Sequence, residues 1–268
     1  MVFRYEQEVQ KYGKKDSIIA LCACLVIAVL TVALWAIAES FELARLQSSI
    51  LQLTFSAIVI GIAVTIVLIR KQGLASIGIH KDKLWPTLRF GLLFILIFSA
   101  LGVVPGLIYG WEFNSLRTII ALLFMAIVLA AQEDIFFTGY LQTRLYGLFK
   151  KDVLAILVGA VLFALVHIPV GLFSDMNMVF YMVTLCISHV CMVLIFRVYF
   201  SIIPVIIVHT LQNFLNLGDL WSVYNPDYNS SWVMTAALPI WVLMIVLEII
   251  RFRRRKKASA AFENKGCA

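Results

Sequence analysis

Most of the chain consists of long apolar runs separated by short charged or turn-rich breaks. The runs lie near Ile18–Ala38, Ile50–Ile69, Leu88–Tyr109, Leu116–Phe137, Val153–Phe173, Met178–Phe196, Phe200–Leu217 and Trp232–Ile250. Each approaches the ~20 apolar residues that cross a ~30 Å hydrocarbon core. Lipid offers no partner to an unpaired backbone N–H or C=O, so only helices or closed barrels span it, and uninterrupted runs argue for helices. The pattern predicts an all-α fold: a polytopic membrane helical bundle of about eight transmembrane helices, forming a single integral membrane domain over residues 1–268. Composition agrees, with 62% apolar and 14% charged residues. Soluble domains run near half apolar and a quarter charged, so a water-soluble fold is excluded. No internal repeat, low-complexity tract or soluble second domain is visible.

The charges sort by side. Arg70, Lys71, Lys81, Lys83 and Arg89 fall on one side of the alternating spans, with Arg144, Lys150, Lys151, Arg197 and the cluster Arg251, Arg253, Arg254, Arg255, Lys256 and Lys257. The other side carries Glu39, Glu42, Glu112, Asp175, Asp219 and Asp227 with few cations. This positive-inside asymmetry predicts a multi-pass protein of the cell membrane with both termini cytoplasmic. The net charge of +7 reflects cations flanking spans, which argues for membrane anchoring and against a nucleic-acid partner. The terminal basic cluster reads as a topology signal that also touches anionic lipid. Ala36-Ile37-Ala38 looks like a signal-peptidase site, but the first run exceeds the ~7–15 residues of a secretory core, so the segment is read as retained. Cys22, Cys24, Cys186 and Cys191 fall in apolar runs as small hydrophobes. Cys267 is second from the end, whereas prenylation needs a cysteine fourth from the end.

Ionisable residues inside a span are expensive and mark functional candidates. Here they are Glu133, Asp134, His167, His189 and His209, with Glu248 at a rim, where it is expected to snorkel to the interface. His189 has no partner pattern and reads as an interhelical hydrogen-bonding residue. Three local patterns stand out. Glu133 and Asp134 precede two aromatics, Phe136 and Phe137, then Thr138 and Gly139; Phe163 precedes His167 by four residues; His209 precedes Asn213 by four. Residues four apart share a helix face, so each pair projects into one place. A carboxylate, two imidazoles and an amide are the parts for activating a water and stabilising an oxyanion. Counting straight helices from the predicted span ends sets His167 roughly 15 Å further from the cytoplasmic face than Glu133, a mismatch that tilt, a late helix start or a broken fourth helix would remove.

The three patterns, in this order between about Leu116 and Asn216, resemble those of the CPBP intramembrane proteases, the family that includes the CaaX prenyl endopeptidases and bacterial Abi proteins. The resemblance implies an intramembrane glutamic endopeptidase acting on membrane-associated peptides or proteins, in bacteria often in bacteriocin or pheromone maturation or self-immunity. Carried over by motif, Glu133 is the general base, assisted by His167, and His209 and Asn213 stabilise the oxyanion. Asp134, Thr138 and Phe163 support them. It implies no cofactor and no metal, although Glu133, His167 and His209 also make a three-ligand zinc set with water as the fourth. The partners implied are the lipid bilayer and the peptide substrate.

Two positions depart from the family pattern. Asp134 replaces the usual second glutamate, and Thr138 the usual arginine. Arg144 lies on another face about 9 Å further along and does not replace that arginine. Asp134 and Thr138, four apart, are expected to form a local hydrogen bond that supports the helix. The departure keeps open a non-catalytic CPBP-like scaffold or peptide-binding immunity protein. A proton-coupled transporter also uses buried carboxylates and histidines, but the chain shows no repeated half with paired broken helices.

Overall fold

The computed structural model describes residues 4–41, 45–80, 112–113, 115–172, 177–216 and 221–222, with scattered helical positions between 239 and 254. The expected span Leu88–Tyr109 lies outside the described residues, as do most of Trp232–Ile250 and Glu248. The described elements are helices α1 (Arg4–Val9), α2 (Lys14–Ser40), α3 (Arg45–Ile69), α4 (Leu116–Glu133), α5 (Gln142–Phe149), α6 (Asp152–Val166), α7 (Ile168–Leu172), α8 (Met178–Tyr199) and α9 (Ile203–Asn216). A 3₁₀ turn covers Leu74–Ile77, and wide π-type turns cover Asp134–Leu141. Two-residue strands, β1 (Glu112–Phe113) and β2 (Trp221–Ser222), pair antiparallel. The fold is thus a helical membrane bundle. Among the described residues, four helical runs are long and apolar enough to cross a membrane: Lys14–Ser40, Gln47–Ile69, Leu116–Phe149 and Met178–Tyr199. Asp152–Val166 and Ile203–Phe214 are shorter apolar helices.

Two of the predicted boundaries move. The fourth span continues past Phe137 to Phe149, because α4, the π-type turns and α5 form one unbroken run. The polar residues Gln142, Thr143 and Arg144 that broke the apolar pattern are all buried there against other helices. The fifth span, expected to reach Phe173, stops at His167, where the backbone leaves the helix at φ −89° and ψ 0°. Pro169 follows two residues later; its ring excludes a continuing helix but suits the first turn of a new one, α7.

The interior face of α2 recurs every three or four residues, through Ala20, Ala23, Cys24, Ile27, Thr31 and Leu34, and packs with Val59, Ala63 and Val67 of α3. The opposite faces present Leu25, Val29 and Val32 of α2 and Val153, Leu157 and Val161 of α6 to the surroundings, as helices in lipid do. One end of the bundle gathers the polar breaks predicted to share a side. Arg70 pairs with Asp16 at 2.9 Å, Lys150 donates to the Tyr12 carbonyl at 3.2 Å, and Arg197 bridges Asp152 and Glu6. At that end Arg144, wholly buried, donates to the Ser76 carbonyl (3.2 Å) and hydroxyl (2.8 Å), to Gln72 Oε1 (2.7 Å) and to Thr143 (2.6 Å). Its guanidinium also lies over the rings of Tyr12 and Tyr140, at 4.3 and 4.8 Å from the centroids. Burial raises the Tyr12 phenol pKa above its ordinary value. Gly147 allows α5 to lie against the start of α2, since a Cβ there would stand 2.5 Å from the Gly13 carbonyl oxygen.

Candidate active site

Ser115 caps α4 by accepting from the Thr118 N–H, and the helix delivers Glu133 and Asp134 to the point where the π-type turns begin. Such turns hold an extra residue and reorient the side chains that follow, and they are frequent at functional sites. The π-type segment is wedged against the 3₁₀ turn: a Cβ on Gly139 would come within 2.8 Å of the Ile77 carbonyl oxygen. Ser56 of α3 donates to Gln132, fixing the residue before Glu133.

The longer fourth run also removes the depth mismatch. Glu133 stands about 24 Å from the end of its run at Phe149, and His167 about 22 Å from the start of α6, so straight helices already bring them to one level. The two side chains meet, with Glu133 Oε1 3.6 Å from His167 Nε2. The other carboxylate oxygen, Oε2, lies 3.5 Å from His209 Nε2 of α9. Each oxygen of Glu133 therefore faces an imidazole from a different helix. These separations are longer than an ordinary direct hydrogen bond and leave each imidazole in close electrostatic contact with the carboxylate.

Both imidazoles are held from behind. His167 Nδ1 donates to the Phe163 carbonyl at 2.8 Å, which directs Nε2 at Glu133. His209 Nδ1 donates to Asp134 Oδ2 at 3.1 Å, and Asp134 Oδ1 accepts from the Thr138 hydroxyl at 3.1 Å. The expected local bond between Asp134 and Thr138 is thus present, and the same carboxylate orients His209. A proton on each nitrogen lets His209 serve both carboxylates. The wall is aromatic: Phe163 meets Phe137 edge-on at 5.3 Å and lies 4.5 Å from the His167 ring. Asn213 stands one turn beyond His209 on α9, half-buried, placed by helix register and not by a contact with the carboxylates.

Arg144 does not approach this cluster; its partners are Ser76, Gln72 and Thr143 at the end of the bundle. His189 differs from expectation. Its ring stacks on Phe163 at 4.8 Å and 17°, behind the cluster, and its Nε2 has no protein partner. Its stacking partner gave no sequence signal, since it depends on how α6 and α8 pack. Among the described residues, no group of three or more His, Cys, Asp or Glu side chains is arranged to hold a metal ion.

These features define a class: a helical membrane protein with a carboxylate–imidazole centre buried between its helices. Residues 114–215 match the family model described as type II CAAX prenyl endopeptidase Rce1-like. The matched segment holds Glu133, Asp134, His167, His209 and Asn213, and over that segment the sequence is similar to this family of endopeptidases. No curated protein and no solved structure shows a significant match to the chain.

Proposed function

We propose that the chain is an intramembrane endopeptidase that hydrolyses membrane-associated peptides or proteins with a water activated by Glu133 and His167. The observation that carries this reading is the pair of imidazoles facing the two oxygens of one buried carboxylate. In the reaction, Glu133 takes a proton from a water bound beside it and His167, and the water oxygen bonds to the scissile carbonyl carbon. His209 Nε2–H and the Asn213 amide donate to the oxyanion, with Asp134 holding His209 by Nδ1. Glu133 then passes the proton to the leaving amine nitrogen as the C–N bond breaks. The step needs no metal. Thr138 occupies the arginine position of the family pattern and keeps Asp134 in place by its hydroxyl. The basic breaks gathered at one end of the bundle support an orientation in the cell membrane with both termini cytoplasmic. Maturation of a bacteriocin or pheromone precursor, or self-immunity, fits such an activity.

The test is to incubate the purified chain with membrane-associated peptides and read the products by mass spectrometry. Wild type is expected to cleave and Glu133→Gln, which keeps the shape without the base, to leave the peptide intact while remaining folded. A chain that captures the peptide and never cuts it, or a Glu133→Gln variant with wild-type turnover, overturns the proposal.

A further inference from the structure

Helix α8 runs beside α6 in the opposite direction, and two contacts set their register. Cys186 donates to the Ala160 carbonyl at 3.6 Å, and His189 Nε2 lies 3.5 Å from where a Gly159 Cβ would stand. Eight residues on from Gly159 stands His167, and eight back from His189 stands Tyr181. Both steps cover about 12 Å of helix, so Tyr181 comes level with His167. A third contact agrees. Cδ1 of the Tyr181 ring lies 2.9 Å from where a Gly171 Cβ would stand, and the Gly171 N–H donates to the His167 carbonyl at 3.1 Å. The ring thus rests on the turn that follows His167, within electrostatic reach of Glu133.

Tyr181, Thr184 and Ser188 recur at three and four residues and form one buried stripe of α8. Ser188 donates to Gln212 at 3.1 Å, so the stripe turns toward α9, the helix that carries His209. All three side chains carry a hydroxyl. That of Thr184 donates to the Phe180 carbonyl at 2.9 Å, and that of Ser188 is taken by Gln212. Among the described residues nothing pairs with the Tyr181 hydroxyl, and packing does not seal it off. A polar group at the level of the reaction centre, without a partner of its own, is available to what binds there.

A peptide cut at membrane depth must leave the helical form around its scissile bond, since a helix closes its backbone groups on themselves. The groups set free find no water to pair with, and each is costly unless the site supplies a partner. His209 and Asn213 approach the attacked carbonyl from α9. The neighbouring peptide group lies one residue, about 3.5 Å, further along and needs a donor from another side.

We propose that the Tyr181 hydroxyl donates a hydrogen bond to a backbone carbonyl adjoining the scissile bond of a peptide bound at Glu133. The proposal rests on the hydrolytic reading above. Tyr181 is a substrate-binding residue here. Its bond forms when the peptide binds and persists through the reaction, so it strengthens binding and leaves the chemical step unchanged.

Tyr181→Phe, which keeps the ring on Gly171 and removes the hydroxyl, tests this with the membrane-associated peptides of the cleavage assay. KM is expected to rise about two- to tenfold, the effect of one hydrogen bond, with kcat within about twofold of wild type. In the Glu133→Gln chain, which holds peptide without cutting it, adding Tyr181→Phe is expected to raise Kd by the same factor. An ester carbonyl accepts more weakly than an amide. Peptides with an ester in place of the amide on either side of the scissile bond are therefore tried in turn; one is expected to bind less tightly when Tyr181 is present and no less tightly in Tyr181→Phe. Gly171→Ala, whose methyl meets the ring and displaces the hydroxyl, serves with the same expected rise in KM if Tyr181→Phe does not fold. Unchanged KM and Kd, a fall in kcat alone, or equal ester sensitivity with and without the hydroxyl overturns the contact and leaves the hydrolytic reading standing. A wild-type chain that binds peptide through Tyr181 and never cuts it overturns the hydrolytic reading and keeps the contact.

Discussion

Replacing Asp134 by asparagine separates the two adjacent carboxylates. Asp134 is 2% exposed and has two partners, the Thr138 hydroxyl and His209 Nδ1, each at 3.1 Å. An asparagine retains one acceptor. Its carbonyl oxygen faces His209, and its NH₂ faces Thr138, whose hydroxyl turns to accept. Both contacts persist, but as hydrogen bonds between neutral or singly charged groups, and the charge beside His209 is gone. A hydrogen bond to a charged group contributes about 1.5–3 kcal/mol and a neutral one about 0.5–1.5, so the expected loss of stability is about 1–3 kcal/mol. If a similar deficit reaches the transition state through a looser His209, turnover falls about ten- to a hundredfold. Glu133→Gln is expected to behave oppositely. Its partners at 3.5 and 3.6 Å are beyond direct hydrogen bonds, so little stability is lost, while removal of the base costs at least about 10²–10⁴ in rate. Melting temperature and cleavage of a peptide substrate, measured on both variants in one detergent, give the comparison. An Asp134→Asn variant as inactive as Glu133→Gln with an unchanged Tm would make Asp134 a catalytic carboxylate and refute this division of roles.

Thr138→Val keeps the volume and removes the hydroxyl, leaving Asp134 Oδ1 short of a donor; a Tm decrease with activity within about tenfold of wild type is expected, checked by the same two assays. Arg144→Leu strips Ser76 and Gln72 of their buried donor and is expected to cost about 3 kcal/mol or more, read as a lower Tm and faster proteolysis near the 3₁₀ turn. Gly147→Ala sets a methyl against the Gly13 backbone, which yields less readily than a side chain; the expected cost is about 1–3 kcal/mol in thermal unfolding. Removing metal with a chelator is expected to leave peptide cleavage unchanged, and activity lost to the chelator and restored by zinc would contradict the mechanism.

The residues of the cluster were legible because ionisable groups are scarce in apolar helices. Glu133, His167 and His209 announce themselves by cost alone, and the spacing from Asp134 to Thr138 foretells their bond. The length of the fourth run was not legible. Gln142, Thr143 and Arg144 look like the end of a span until the buried seat of Arg144 against Ser76 and Gln72 is known, and partner choice is a tertiary fact. The break at His167 had a local signal in Pro169, but an apolar run that continued to Phe173 concealed it.

The π-type turns between Asp134 and Leu141 make this stretch more tolerant of a lost residue than the regular helix on either side. A residue removed from them would tighten the winding to ordinary α-helix, and each residue in such a helix advances the direction of its side chains by about 100°. That tightening offsets much of the lost rotation, whereas a residue removed from the regular turns of α4 would swing everything beyond it by the full angle, turning Gln142 away from Gly159 and carrying Arg144 out of its seat between Tyr12 and Tyr140. A deletion that a surface loop absorbs would here set the two halves of one helix in conflict, each registered to a different set of neighbours.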